Sequence, residues 1–160
     1  MPFSILKDWV MKHNDILPEC YIDSTLIASL LDAGINHKYS CSEVAIEMET
    51  GKYRDSFAVG IIDNDKRQHS YAKEFTEICR TENLTFSKHK EKHQYLIKVG
   101  KPHKAMESFL ISNVDAIGMK MEDFDLPSDL DALINITKDN ISSQNDPRLL
   151  KLCKVIRRTQ

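Results

Sequence analysis

The apolar residues of this chain fall into short runs that alternate between strand-like and helix-like spacing. The clearest run, residues 57–62, is apolar without interruption, which is typical of a strand that is buried on both faces and central in a sheet. Further strands are predicted at residues 20–22, 37–39, 84–86 and 95–99. Because these strands alternate with helical segments, we expect an α/β fold with a largely parallel central sheet flanked by helices.

Helices are predicted where apolar residues recur every three or four positions behind a capping residue. This spacing predicts helices over residues 4–14, 71–81, 103–113 and 128–136. Three more helices are expected to begin at residues 23–25, at Ser40 or Ser42, and at Asp146 followed by Pro147. A capping residue followed by proline is a common way for a helix to begin.

The length of 160 residues is that of a single domain. We divide it into an N-terminal helix (1–17), an α/β core (18–113) and a helical C-terminal extension (114–160) that packs on the same domain. Apolar residues make up 41% and charged residues 29% of the chain, so its composition is that of a folded globular protein rather than a disordered one.

Neither a membrane span nor a secretion signal is expected. No apolar run reaches the roughly 18–20 residues that a membrane helix needs, and the first residues are too polar for a signal peptide. The four cysteines are far apart and form no CxxC pair, which favours free thiols over a zinc site or disulfide framework. These features predict a cytoplasmic protein without a membrane partner.

The formal net charge of -2 conceals strongly charged segments. Residues 84–104 contain six lysines and three histidines but only one acidic residue, Glu91. Residues 105–147 are mainly acidic, and residues 148–160 are basic again. A basic run of this kind is either a solvated surface or a rim that binds phosphate groups, and the second reading requires a neighbouring site.

Acidic residues follow several of the predicted strands. Asp23 follows the first strand, Asp63 and Asp65 follow the long apolar strand, and Glu107 lies in the helix after the last strand. Ligands of α/β proteins bind beyond the carboxyl ends of such strands. Two nearby carboxylates repel each other, and Mg²⁺ or Mn²⁺ with oxygen ligands relieves that repulsion. The alternative is that Asp63 and Asp65 simply form a turn.

The order of elements and the segment 61–65 (Ile-Ile-Asp-Asn-Asp) resemble the Toprim fold, the metal-binding domain of topoisomerases, primases and OLD-family nucleases. That family carries an acidic residue after its first strand and Asp-x-Asp after its third. Asp23 and the Asp63–Asp65 pair match those positions. The segment 102–110, which contains Glu107, is similar to the segment of OLD-like members in which a further glutamate opens a helix.

The chain departs from the Toprim pattern at the first acidic position. The family normally has a glutamate there, often followed by glycine, whereas this chain has Asp23 followed by Ser24. Glu19 is a glutamate, but it precedes the predicted strand instead of following it. Two possibilities stay open: Asp23 replaces the glutamate, or the catalytic glutamate has been lost.

The resemblance implies hydrolysis of phosphodiester bonds in nucleic acid, dependent on Mg²⁺ or Mn²⁺. The expected metal-binding and catalytic residues are Asp23, Asp63, Asp65 and Glu107. Basic residues that we expect to contact phosphate are Lys66, Lys88, His89, Lys90, Lys92 and His93. Relatives of this kind are frequently joined or paired to an ATPase, so an ATPase partner protein is a further expectation.

Two other functions are compatible with the sequence. A catalytically weak Toprim-like subunit that binds nucleic acid or protein is suggested by Asp23 in place of glutamate. A haloacid-type phosphatase fits less well, because its Asp pair belongs on the first strand with Thr or Val two residues on, where this chain has Arg67. With only five glycines, the chain contains no glycine-rich phosphate loop, so ATP binding is not expected.

Overall fold

The computed structural model describes residues 14–19, 25–29, 40–64, 69–100, 106–137 and 146–159. Within these ranges one five-stranded sheet has the order β1-β2-β5-β4-β3. The strands are β1 (Ile16–Pro18), β2 (Ala58–Asp63), β3 (Phe75–Arg80), β4 (Leu84–His89) and β5 (Gln94–Val99). β1, β2 and β5 run parallel, whereas β4 and β3 are antiparallel to their neighbours. The fold is α/β, as predicted, but its sheet is mixed rather than largely parallel.

Helices flank both faces of this sheet. The α-helices that the structure describes in full are α1 (Cys41–Glu49), α2 (Met106–Ala116), α3 (Leu130–Thr137) and α4 (Pro147–Arg158). Residues 25–29 are also helical, and short 3-10 helices occupy Ser70–Glu74 and Met121–Phe124. None of the helices in the described ranges has both the length and the apolar character that a membrane crossing requires.

The apolar strand β2 separates two hydrophobic cores. Successive side chains of a strand point to opposite faces, so Ile61 and Ile62 enter different clusters. Ile61 packs in the core that α2, α3 and α4 build, whereas Ile62 packs in the core that contains Val44 and Met48 of α1. This explains why the sequence of β2 has no polar residue before Asp63, and it confirms that this strand is buried.

A glycine lets α1 approach the sheet closely. A Cβ atom at Gly60 of β2 would lie 2.8 Å from Sδ of Met48 and 3.0 Å from Cγ1 of Val44, closer than carbon and sulfur atoms normally pack. The helix itself begins with a capping box, in which the Ser40 hydroxyl accepts from the Glu43 N–H and the Glu43 carboxylate accepts from the Ser40 N–H. Ser40 is thus the cap of the two serines considered.

Several predicted elements are confirmed, with shifts of a few residues at their ends. The Asp146 carboxylate accepts from the Arg148 N–H and caps α4, and Pro147 is the first residue of that helix. The helices predicted at 103–113 and 128–136 are observed as α2 and α3. The strands predicted at 84–86 and 95–99 are observed as β4 and β5, and β4 is three residues longer than expected. We call residues 90–93, which join these two strands, the lysine-rich turn.

The helix predicted over residues 71–81 is wrong. Residues Ser70–Glu74 form a 3-10 helix, and the following residues form strand β3, which pairs antiparallel with β4. Of the apolar residues that suggested a helix, Tyr71 and Ala72 are buried, whereas Ile78 and Cys79 are exposed. β-branched and aromatic residues favour a strand where a neighbouring strand is available, and that pairing outweighs the helical spacing.

A strand lies ahead of the first one that the sequence predicted. β1 covers Ile16–Pro18, so the expected N-terminal helix cannot extend to residue 17. A proline is tolerated in this strand because β1 is the last of the described strands on its side of the sheet. The strands predicted at 20–22 and 37–39 and the helix predicted at 4–14 lie outside the described residues.

The C-terminal helices belong to the same folding unit as the sheet. The expected boundary between residues 113 and 114 falls inside the continuous helix α2. Val99 of β5, Leu133 of α3 and Leu152 of α4 lie in one hydrophobic core, so these helices pack against the sheet. Cys79 and Cys153 are free thiols, as expected from their separation in sequence.

Candidate functional site

The carboxyl ends of the three parallel strands lie at the same edge of the sheet. Pro18 of β1 pairs with Ile61 of β2, and Asp63 at the end of β2 pairs with Val99 at the end of β5. We call this region the carboxylate edge and define it by Glu19, Asp63, Asn64 and Gly100, the residues at or just after these strand ends. It is the position at which α/β sheets usually bind ligands.

Glu19 is brought to the carboxylate edge by β1 and directly contacts Asp63. The Glu19 N–H donates to the Ile61 carbonyl at 2.9 Å, which continues the parallel pairing one residue beyond β1. The Glu19 carboxylate then accepts from the backbone N–H of Asp63, with 2.8 Å between Oε2 and N. Two acidic residues that are 44 positions apart in sequence therefore meet at one point.

The backbone after Asp63 is fixed by the end of β5. The Asn64 N–H donates to the Val99 carbonyl at 3.0 Å, and the Asn64 side-chain amide donates to the Gly100 carbonyl at 3.3 Å. Gly100 has a φ of 97° and donates to the Asn83 carbonyl at 2.7 Å. Since few residues other than glycine adopt this φ, Gly100 helps to hold the edge in one geometry around Asp63.

The oxygen donors of the carboxylate edge fit Mg²⁺ or Mn²⁺, which bind carboxylate and carbonyl oxygens. Both Glu19 and Asp63 are half-buried, and the Oδ1 atom of Asp63 is itself buried. Among the residues that the structure describes, no three His, Cys, Asp or Glu side chains are grouped closely enough to hold a metal ion. Asp23 and Asp65, two of the four predicted ligands, lie outside those residues.

Glu107 has a structural partner. Its side chain is only 7% exposed and accepts a hydrogen bond from the Thr137 hydroxyl at the end of α3. The expectation that Glu107 opens a helix after the last strand is confirmed. Within the described part of the chain, however, Glu107 belongs to no metal-binding group, and its carboxylate connects α2 to α3.

The lysine-rich turn lies at the opposite edge of the sheet from Asp63, which corrects the expectation that it is near the carboxylates. The turn joins β4 to β5, and β5 starts at Gln94, level with Ala58 at the beginning of β2. From Gln94 to Val99, the residue level with Asp63, the strand rises about 17 Å at about 3.3 Å per residue. A phosphate group at the carboxylate edge therefore cannot contact the turn as well.

Two of the predicted phosphate-binding residues instead stabilise the turn. His89 is 4% exposed; its Nδ1 accepts from the N–H groups of Glu91 and Lys92, and its Nε2 lies 3.0 Å from the Glu74 carboxylate. Lys92 donates to the carbonyl of Glu49, the last residue of α1, at 3.2 Å. A positive charge is favourable at the carboxyl end of a helix. His89 has no ring nitrogen left for phosphate.

The remaining predicted phosphate contacts differ in their surroundings. Lys88 and Lys90 are exposed and are available to an anion. His93 is exposed but contacts aromatic rings, with its centroid 5.0 Å from Phe57 and 5.7 Å from Tyr95. Lys66, like Asp65 before it, lies outside the described residues.

Glu19 is the functional candidate that the sequence reasoning missed. It was set aside because the first strand was placed after Pro18 rather than through it. The signal that could have identified it was its place directly after the apolar residues Ile16 and Leu17, which form β1 together with Pro18.

The fold and the carboxylate edge define an α/β protein with acidic side chains at the carboxyl ends of its parallel strands. Comparison of the chain with protein-family models, with curated proteins and with solved structures finds no match. The chemistry of the carboxylate edge therefore has to follow from its own side chains.

Proposed function

We propose that this protein is a Mg²⁺- or Mn²⁺-dependent nuclease that hydrolyses phosphodiester bonds at the carboxylate edge. The observation that supports this function is the hydrogen bond between the Glu19 carboxylate and the Asp63 N–H. It holds the Glu19 carboxylate against the backbone of Asp63, so two acidic residues lie at the ends of neighbouring parallel strands. Acidic groups in that arrangement repel each other, and a bound divalent cation offsets the repulsion.

The position of Glu19 also favours a Toprim-like site. In the Toprim family the first acidic residue is normally a glutamate that follows the first strand, and Glu19 directly follows β1. Asp23 then does not have to replace a missing glutamate. The chain still differs from the family in having Cys20 where glycine often follows the glutamate.

The residues that would hold the ion are Glu19 and Asp63, together with Asp65 from outside the described residues. When bound, the ion supplies an activated water molecule and offsets the negative charge that develops on the phosphate. Glu19 keeps one carboxylate orientation because its Oε2 accepts the Asp63 N–H. Asn64 and Gly100 keep the following backbone in place. Glu107 is left out of this ligand set because its carboxylate accepts the Thr137 hydroxyl.

A second candidate is a catalytically weak Toprim-like subunit that binds nucleic acid or protein. The observation that favours it is that no three His, Cys, Asp or Glu side chains are grouped closely enough to hold a metal ion among the described residues. In either case the resemblance to families that are paired with ATPases makes an ATPase the proposed partner protein. A binding subunit would associate with nucleic acid without any metal-dependent turnover.

The nuclease proposal is tested by cleavage of plasmid and single-stranded DNA or RNA in Mn²⁺, in Mg²⁺ and in EDTA. We expect cleavage with either metal and none in EDTA. Asp63→Asn should lower the rate by about 100-fold or more, because the protein would lose a ligand of the ion that offsets the charge on the reacting phosphate. Asp55→Asn is the matched control, since Asp55 is exposed and pairs only with its neighbour Arg54 in an exposed ion pair.

The outcomes separate the two candidate functions. Equal cleavage by Asp63→Asn and the unaltered protein would exclude the carboxylate edge as the active site. Binding of nucleic acid without cleavage in any metal would favour the binding subunit instead.

A further inference from the structure

An open apolar groove lies on the face of the sheet opposite α1. Its volume is about 500 Å³, and the residues that line it include Phe57, Val59, Phe86, His93, Tyr95 and Ile97. We call it the aromatic groove. The strand register explains its floor, because Val59 pairs with Tyr95 and Phe86 pairs with Ile97, so these side chains project from the same face. A volume of this size is typical of ligand sites.

The aromatic rings of the groove are arranged as a surface for stacking. The rings of Phe86 and Tyr95 are parallel within 1°, with their centroids 5.5 Å apart. Phe57 lies 6.0 Å from Tyr95 and remains 40% exposed. Phe86 and Tyr95 are half-buried, so the three rings form one partly exposed patch, and such patches mark binding sites more often than isolated apolar side chains do. A flat ring with two polarisable faces is the ligand shape that such a surface accommodates.

Positive charge lies next to these rings. Lys88 pairs with Tyr95 across the strands and follows Phe86 by two residues, so its side chain projects from the same face of the sheet as the groove. Lys88 is also exposed. Lys90 is exposed in the adjoining turn, where Glu91 is the acidic residue. Aromatic rings beside lysines are the combination with which proteins bind single-stranded nucleic acids, since bases stack on the rings and phosphates contact the lysines.

We propose that the aromatic groove binds unpaired bases of a single-stranded nucleic acid. The class of ligand rests on the proposed nuclease function, and the groove adds the strandedness of the substrate. Bases of a duplex are stacked inside it and cannot reach Tyr95 or Phe57. Ile61, which also lines the groove, lies two residues before Asp63 on β2, about 7 Å away at about 3.3 Å per residue. The groove therefore reaches close to the carboxylate edge, whereas Tyr95, level with Val59, lies about 13 Å along the strands from the level of Asp63.

Binding of a labelled thymidine oligonucleotide of about 12 nucleotides, measured by fluorescence anisotropy in EDTA, tests this proposal without any cleavage. Phe57→Leu and Tyr95→Leu should each weaken binding about tenfold, since stacking on the ring is lost. Lys88→Gln should weaken binding and reduce its dependence on salt concentration. Ile78→Ala is the matched control, because Ile78 is 55% exposed on β3 outside the groove. Melting followed by circular dichroism verifies that each variant is folded.

Several results would overturn the proposal. These are equal oligonucleotide affinity in the two aromatic variants and the unaltered protein, no oligonucleotide binding at all, or tighter binding of the matching duplex. Binding that appears only after removal of residues 1–13 would show that the chain's own N-terminal segment covers the groove. If the groove takes a protein partner instead, the two aromatic variants bind the oligonucleotide as well as the unaltered protein does.

Failure of this proposal and failure of the nuclease proposal give different results. If Asp63→Asn cleaves normally while Phe57→Leu loses oligonucleotide binding, the carboxylate edge is not the active site but the groove binds single strands. If Asp63→Asn loses cleavage while both aromatic variants bind normally, the nuclease assignment stands and the groove has no part in substrate binding.

Discussion

Glu19 reaches Asp63 because β1 pairs with β2 in one particular register. With Pro18 level with Ile61, the next residue of β1 projects beside the end of β2. Successive strand residues face opposite sides, so a shift of one position would turn the Glu19 side chain away from the carboxylate edge. The hydrogen bond that the Asp63 N–H donates to Glu19 Oε2 ties this register to the site.

A buried polar network holds residues in place on the face of the sheet that α1 covers. The Tyr71 hydroxyl donates to Oε1 of Gln94 at 2.6 Å. The Gln94 side-chain amide donates to the carbonyls of Met48 at 2.8 Å and Tyr53 at 2.7 Å. Gln94 is fully buried, and each polar atom of its side chain has a hydrogen-bond partner, as buried polar groups require.

This network predicts a dependence of stability on alkaline pH. Burial, followed by the negative charges of Glu74 and Glu49, raises the pKa of Tyr71 to about 12 from an ordinary value of 10.0. The folded protein therefore holds the Tyr71 proton more tightly than the unfolded chain does. Its contribution to stability is complete below pH 10 and is lost as the pH rises from 10 through about 12.

Urea unfolding measured across this alkaline range, with Tyr71→Phe as the comparison, checks the prediction. The unaltered protein should lose stability more steeply with pH than Tyr71→Phe, which has no proton to lose at this position. Parallel pH profiles for the two proteins would contradict it. Phenolate absorbance of the folded protein provides the second readout, since the difference between the two spectra isolates Tyr71.

At the scale of elements, local signals predicted well and long-range pairing did not. The uninterrupted apolar run predicted β2, and a cap followed by proline predicted α4, because both signals lie within the element itself. The failure at β3 has a different cause. Its apolar spacing fits a helix, but Ile78 and Cys79 are exposed at the edge of the sheet, and pairing with β4 determines the conformation.

The same distinction applies to the candidate site. Asp63 could be placed at a strand end from its neighbours in sequence alone. The lysine-rich turn could be recognised as a turn, but the edge of the sheet at which it lies depends on the direction of β4 and β5 relative to β2. That direction follows from the topology of the whole sheet, which the local pattern does not contain. Glu19 was missed for a related reason, the position of one short edge strand.

The cap of α4 gives a prediction at the element scale. The Asp146 carboxylate accepts from the Arg148 N–H at 2.9 Å and pairs with the Arg148 guanidinium at 2.8 Å. Asp146→Ala should lower the free energy of unfolding by about 1 kcal/mol, the usual contribution of an N-cap. Asp131→Ala is the control, since Asp131 is exposed in the first turn of α3.

Acid pH should reduce the effect of this substitution. The hydrogen bond from Arg148 holds the pKa of Asp146 below its ordinary value, so the contribution of Asp146 is present above that value and is lost as the pH falls through the lowered pKa. Urea unfolding of both variants at neutral and acid pH measures this. A stability difference that stays constant, or one that is larger for Asp131→Ala, would contradict the role of Asp146 as the cap.

At the scale of the whole molecule, the sheet separates the carboxylate edge from the lysine-rich turn. The hairpins β3–β4 and β4–β5 return the chain so that β5 pairs with β2, and the parallel strands β1, β2 and β5 then share one edge. The acidic residues Glu19 and Asp63 lie at that edge, whereas the lysine-rich turn lies at the other. The aromatic groove lies between them and extends along β2 as far as Ile61.

Titration of Mn²⁺ into the protein by calorimetry is the most direct test of the central claim that Glu19 and Asp63 hold a metal ion. The unaltered protein should bind Mn²⁺, Glu19→Gln should bind it at least about tenfold more weakly, and Glu91→Gln should bind it normally, because the Glu91 side chain is exposed in the turn at the opposite edge. Equal affinity in Glu19→Gln and the unaltered protein would contradict the claim.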